Sequence, residues 1–461
     1  MSISNILSST VLYLRNRLAD LNLRVHPQAP ISLLPVELLV KIFLLCINVD
    51  SASNANYIKD GYMLSHVCSH WRNIWTGQLT LPMCFERKLE KEKEHLYAEG
   101  LRAWLSLSEP LLIPIRLEGF EFGTCFPQIS PRILEELGKT TSRWRSLQIR
   151  QTIVNSFVKA LASGNSFESL EELELENVME DLSPDVTSIH SFSSAPLLRR
   201  LAINVDCRIP MPWAQLSDLT LSGPRRPFRS FLSKLYQCTS LVHASIILSA
   251  LEHVPSFRPA PGLSFPHLKS LSLTLVGQYE REKLVMPFLD YINAPALESM
   301  SFSSETVDEA LWDEAYFTTF QLRSPKITKL EISGNASRIH SAALISILTH
   351  SPLLTHLKLH DCLIQNTFLH ALVVDDDNVS SAALVPRLSS LTLTGLADAG
   401  FSEDVLGTMI ESRWAPGAPD GEMGSNRRLQ TVVLGGESAF EGFRKAMEEL
   451  QAIEIVGQSL A

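Results

Sequence analysis

The stretch SPLLTHLKL, residues 351–359, sets out a pattern that decides the fold: a proline, then apolar residues at Leu354, Leu357 and Leu359. The spacing apolar-x-x-apolar-x-apolar returns along the chain. It reads WRSLQI (144–149), LEELEL (170–175), LRRLAI (198–203), LSDLTL (216–221), LKSLSL (268–273), LESMSF (297–302), ITKLEI (327–332), LSSLTL (388–393) and LQTVVL (429–434), with a degenerate copy at LVHASI (241–246). Between Leu147 and Leu391 the middle anchors cover 244 residues in nine steps, about 27 per step. A second mark is independent of the leucines. Pro196, Pro266, Pro295, Pro325, Pro352 and Pro386 each stand two residues before the first anchor. Proline has a fixed φ and no N–H, which suits the start of a strand rather than its middle.

The last two anchors of each copy are two residues apart, so they face one side of a strand. Such a strand is unstable alone. Stacked in parallel, the strands bury a continuous Leu/Ile ribbon, and each repeat leans on its neighbours. Stretches between them carry helical patterning, as in VNSFVKALASG (154–164), LVMPFLDYI (284–292) and HSAALISILTHS (340–351). Over residues 111–435 the pattern resembles the leucine-rich-repeat family, whose copies run to about 20–29 residues. One departure stands out. The Asn or Cys usual three residues past the last anchor is mostly absent, Cys362 after Leu359 being a match. Steps of 18 and 41 residues add distorted copies and an insertion, APGAPDGEMGSN (415–426), that reads as a loop.

Toward the N-terminus lies ISLLPVELLVKIFLLC (31–46), followed by LSHVCSHWRNIW (64–75). Pro35 and Glu37 suit a first helical turn. Leu34, Leu38, Leu39, Ile42, Phe43, Leu45 and Cys46 leave hardly any polar face on that helix. Leu64, Val67, Cys68, Trp71, Ile74 and Trp75 follow at helical spacing. Some 45 residues cannot bury this much apolar surface among themselves. The remainder marks an interaction surface.

These residues resemble an F-box: Leu34-Pro35-x-Glu37-Leu38-Leu39-x-x-Ile42-Phe43, then Leu64-Ser65-x-Val67-Cys68-x-x-Trp71-Arg72-x-Ile74. The Trp that often closes the family's motif is missing from Leu81-Pro82-Met83-Cys84-Phe85. The resemblance, to fungal F-box proteins with degenerate leucine-rich repeats, implies an α/β chain. A small N-terminal three-helix module (31–80) would precede an irregular solenoid with parallel strands inside and helices outside. An N-terminal amphipathic helix (1–28), a charged helical linker (81–110) and a C-terminal capping helix and tail (436–461) complete the expected organisation. The family resemblance implies that Leu34, Pro35, Leu38, Ile42, Phe43, Leu64, Val67, Cys68 and Trp71 bind, or directly support, a Skp-type adaptor, and through it a cullin scaffold. The chain would then be a non-catalytic substrate-recognition subunit of an SCF-type ubiquitin ligase. The competing expectation is a leucine-rich-repeat scaffold unconnected with ubiquitin transfer.

A protein client is expected on the inner face of the curve, where the residues between and beside the anchors point. These are Glu172, Glu174, Arg200, Lys269, Lys329, Glu331, His356 and Lys358.

The composition narrows the alternatives. A net charge of −10 argues against a nucleic-acid partner. No apolar run approaches the roughly 18 residues of a membrane span. In MSISNILSSTVLYLRNR the arginines follow the apolar part, the reverse of a secretory signal. Seven scattered cysteines with no CxxC pair fit reduced thiols in the cytoplasm or nucleus. Gly138-Lys139-Thr140 lacks the first glycine of a P-loop, where Ile133 stands. His66 and His70 share a helical spacing with no third ligand. No cofactor, no metal and no nucleophile–base set is expected.

Overall fold

A turn, not a strand, opens most of the repeats. The N–H groups of Leu198, Leu268, Leu297, Leu354 and Leu388 donate to the carbonyls of Ala195, Phe265, Ala294, Ser351 and Val385, each three residues earlier. Pro196, Pro266, Pro295, Pro352 and Pro386 therefore occupy the second position of a β-turn, where their fixed φ is already suitable. The expected place of these prolines was the start of the strand. The structure places them four residues before the strand, in the turn that aims the chain at the sheet. The turn survives without proline: Leu170 N–H donates to Phe167 O and Leu216 N–H to Trp213 O. The first anchor, buried in every one of these turns, closes it.

The structure is a computed structural model. It describes residues 34–36, 38–39, 42–43, 67–71, 81–84, 91–110, 112–118, 131–149, 166–175, 192–204, 209–223, 226–248, 251–252, 263–276, 286–304, 313–334, 339–374, 384–395, 400–413 and 429–435. The expected helices at 1–28, 154–164 and 436–461, the 415–426 loop and Leu64 lie outside the described residues.

Among the described residues, thirteen strands form one parallel sheet in strict chain order. They are β1 (Leu81–Cys84), β2 (Ile113–Glu118), β3 (Trp144–Ile149), β4 (Glu172–Leu175), β5 (Arg200–Asn204), β6 (Asp218–Gly223), β7 (His243–Leu248), β8 (Ser270–Leu275), β9 (Ser299–Ser304), β10 (Lys329–Gly334), β11 (His356–His360), β12 (Ser390–Thr394) and β13 (Thr431–Leu434). The register sets equivalent anchors directly opposite one another. Leu271 lies between Ala244 and Met300, and Leu330 faces Leu357, which faces Leu391. Burial then alternates along the strand, as in KLEISG of β10 and SLSLTL of β8. The degenerate copy is a full strand in the same register, with Ala244 in the anchor position.

The sheet starts earlier than the repeats suggested. The expected linker at 81–110 contributes β1, which pairs with β2, and a long helix, α1 (Lys91–Leu107). Pro82 explains why the strand was hard to read, since proline is confined to edge strands and β1 is the edge.

The outer side depends on the length available. Ser341–Thr349 forms the expected helix, α5, after α2 (Pro131–Gly138), α3 (Phe228–Leu235) and α4 (Glu314–Arg323); α6 (Asn366–Leu372) and α7 (Glu403–Arg413) follow. In the 18-residue step the described residues between the two strands form a three-residue 3₁₀ turn at Trp213–Gln215 in place of a helix. The expected helix at 284–292 is likewise a 3₁₀ segment, Met286–Tyr291.

One contiguous apolar core runs beneath all of this. Aromatic rings line it, Trp144 tilted against Phe167 at 5.9 Å and Phe167 stacked on Phe192 at 4.7 Å between centroids. Cys362 makes a rung of the kind the repeats use. Its thiol reaches Ile332 O of the preceding repeat at 3.8 Å and His360 O at 3.5 Å. Burial pushes that thiol up to about 12. Arg413, fully inside, donates to the carbonyls of Leu372 (2.6 Å), Leu384 (2.7 Å) and Val385 (3.2 Å), tying α7 to the end of α6.

Candidate protein-interaction surfaces

Pro35 starts the N-terminal helix as its fixed φ requires, its carbonyl accepting from Leu38 N–H at 3.0 Å and Leu39 N–H at 3.1 Å. Leu39 and Phe43 are four apart and share a helix face, as do Leu38 and Ile42. The two faces have different fates. Leu39 and Phe43 are 0 % exposed, in the same core as Leu101 and Leu105 of α1. Leu34, Val36 and Trp71 pack partly buried against that core, and the rings of Phe43 and Trp71 lie 4.7 Å apart. By contrast Leu38 is 45 %, Ile42 36 % and Val67 58 % exposed. Pro35 and Cys68 are exposed as well. The Cys68 sulfur is engaged locally, accepting from Trp71 N–H at 3.4 Å. The nine expected adaptor residues thus divide. Leu34, Phe43 and Trp71 hold the segment to the molecule; Pro35, Leu38, Ile42, Val67 and Cys68 face outward; Leu64 lies outside the described residues.

On the inner face of the sheet the expected client residues lie between the buried anchors, half-buried or exposed. The register makes four of them partners of one another. Glu172 lies opposite Arg200, and the two form an ion pair. Glu331 lies opposite Lys358 and pairs with it at 2.6 Å. Lys269 pairs with Glu298 at 3.5 Å, and Glu174 accepts from the amide of Gln148. Lys329 lies opposite His356. Burial, and then the charge of Lys329, lowers the His356 pKa.

Sequence reasoning looked for charges and missed the hydroxyls between them. The register places Thr220, Ser245, Ser272 and Ser301 in one row across β6 to β9. Thr274, Ser303 and Ser333 form a second row. Alternation of Ser and Thr with the anchors was the available signal. One surface pocket, of about 370 Å³, opens where Glu171, Leu197, Arg199, Arg200, Ser217 and Asp218 meet.

The P-loop-like motif set aside in the sequence has a local structural role, while His66 lies outside the described residues. Gly138 ends α2, and Lys139 pairs with Glu135 and Glu136. The Thr140 hydroxyl donates to Leu137 O and accepts from Trp144 Nε1. Among the described residues no group of three His, Cys, Asp or Glu side chains could hold a metal ion, and no helix is long and apolar enough to cross a membrane.

Turn, strand and register together define a leucine-rich-repeat-type α/β solenoid. No family model matches the chain, and no curated protein matches it. Two solved structures are similar in outline. The leucine-rich repeat-containing protein LegL7 from Legionella pneumophila shares 12 % identity over 71 % of this chain and 87 % of its own, with a TM-score of 0.34. A protein from Bacteroides fragilis shares 11 % identity over 80 % of this chain and 84 % of its own, with a TM-score of 0.31. The assignment of the solenoid rests on the register of the chain's own strands.

Proposed function

We propose that the protein is a non-catalytic substrate-recognition subunit of an SCF-type ubiquitin ligase. The N-terminal helices dock on a Skp-type adaptor, and through it a cullin, while the inner face of the solenoid holds a protein client. The mechanism is proximity, which raises the effective concentration of the client at the ubiquitin-charged enzyme. No cofactor is needed. The compartment required is the cytoplasm or nucleus. The buried thiols of Cys238 and Cys362, each pushed up to about 12 by burial, are unsuited to nucleophilic chemistry.

One observation carries the reading beyond the F-box-like pattern. A short helix buries Leu39 and Phe43 yet leaves Leu38 and Ile42 in solvent, with Val67 exposed on the next segment. A helix that served only as a cap would have no use for the second apolar face. The test is co-purification of the full chain with a Skp-type adaptor, comparing wild type with Leu38→Ala plus Ile42→Ala. Both residues are exposed, so folding is retained. Apolar anchors at such interfaces cost about 2 kcal/mol or more each when truncated. Two losses weaken binding roughly a thousandfold, since about 1.4 kcal/mol is tenfold. Failure of the wild type to bind any such adaptor would defeat the proposal.

A second reading has its own support. Leu39 and Phe43 belong to the same core as the solenoid, which suits an N-terminal cap on a leucine-rich-repeat scaffold outside ubiquitin transfer. Adaptor binding decides between the two.

A further inference from the structure

The inner face neutralises most of its own charge, strand against strand. Lys329 is different: among the described residues no carboxylate stands within ion-pair distance of its ammonium. Its neighbours in register are Ser299 on β9 and His356 on β11, and Ser270 lies beyond Ser299. The nearest carboxylate in the same row is Asp218, four strands away along β6, β7, β8, β9 and β10. At about 4.8 Å per strand that is roughly 19 Å, well past the Debye length of about 8 Å at physiological salt. Glu331, two residues along β10, shares the face, but Lys358 holds it at 2.6 Å. The ring of His356 is tied through Nδ1 to the Thr355 hydroxyl at 2.8 Å. Around this cation the face is lined by uncharged hydroxyls: Ser301 and Ser303 on β9, Ser333 on β10.

We propose that Lys329, with the hydroxyls of Ser299 and Ser301 and the ring of His356, forms an anion-accepting subsite for a carboxylate-bearing, otherwise uncharged peptide segment. This rests on the reading that the inner face holds a protein client. The lysine supplies the charge and the hydroxyl rows supply neutral hydrogen-bond partners on the β9 side. A segment dense in positive charge finds no open carboxylate along β8 to β10, since Glu298 and Glu331 are already paired. The register, rather than a pocket, gives the site its form, so the ligand is extended.

The experiment is fluorescence anisotropy on the full chain with a labelled peptide alternating Ser and Glu. Its controls are the Ser/Gln counterpart and a phosphoserine counterpart. The Ser/Glu peptide should bind, more weakly as salt rises, and the Ser/Gln peptide roughly tenfold less tightly or worse. Lys329→Glu should cost about tenfold or more, whereas Lys326→Glu, in the exposed turn before β10, should change affinity less than about twofold. Circular dichroism checks that both variants fold. Equal binding of the Glu and Gln peptides, binding of neither, or indifference to Lys329→Glu would overturn the subsite. Capture of the phosphoserine peptide alone would overturn it in favour of a phosphate site. Lys329→Glu should still co-purify with the adaptor, so this proposal and the ligase reading fail separately.

Discussion

Two residues show how local chemistry holds the repeats in place. Asp361 leaves β11 with φ of 52°, and Gly395 leaves β12 with φ of 68°. The Asp361 N–H donates to Thr394 O at 3.0 Å, and its carboxylate lies over the Gly395 backbone. A Cβ on Gly395 would fall 1.8 Å from Asp361 Oδ1. Gly395→Ala should therefore cost about 1–3 kcal/mol, measured by urea denaturation. Gly334→Ala, whose Cβ would sit 3.8 Å from Ile339 Cδ1, should cost less. Glu136 joins α2 to α1. Arg102 donates to it twice, at 3.0 and 2.7 Å, and Lys139 once, at 2.9 Å. Those bonds, Arg102 first, outweigh burial and hold the carboxyl at about 2 against an ordinary 4.5. The unfolded chain thus takes up the proton first as pH falls. The stabilisation is complete above the unfolded value and is lost on descending toward the folded one. Glu136→Gln should be less stable than wild type near neutral pH, and the gap in urea midpoint should shrink between about pH 5 and pH 2. A gap independent of pH would contradict the assignment.

At the level of the strand, the claim is alternation. Leu271 and Leu357 are buried anchors, while Ser270 and Lys358 lie beside them on the inner face. Leu271→Ala or Leu357→Ala should cost about 2–5 kcal/mol. Ser270→Ala and Lys358→Ala should stay within about 0.5 kcal/mol, because the half-exposed pair of Lys358 with Glu331 is worth little. Similar losses at both kinds of site, read from urea denaturation, would refute the strand assignment. This alternation was legible in the sequence because a two-residue period is a local property. So was the proline phase, though not its place in a turn, which depends on a hydrogen bond closed by the first anchor. β1 escaped because an edge strand tolerates Pro82 and lacks the full pattern. The ion pairs of Glu172 with Arg200 and Glu331 with Lys358 join residues 28 and 27 positions apart. Only the register makes them neighbours, so four of the eight residues expected to await a client satisfy one another. The division of the N-terminal helix was hidden for a similar reason. Leu38 and Leu39 are chemically identical, and only the position of the solenoid core tells which one is inside.

Over the whole molecule, the same core holds the N-terminal segment and the solenoid. Under the proposed function, a client on the inner face would be carried at a defined position relative to the outward face of Pro35, Leu38, Ile42 and Val67. The central claim is that this outward face meets a Skp-type adaptor while the inner face stays open. Hydrogen–deuterium exchange of the full chain, with and without a purified Skp-type adaptor, tests it most directly. The account predicts new protection in peptides covering 34–43 and 67–71 and no change in those covering β8 to β11. Unchanged exchange at 34–43 and 67–71, or protection confined to the inner face, would contradict it.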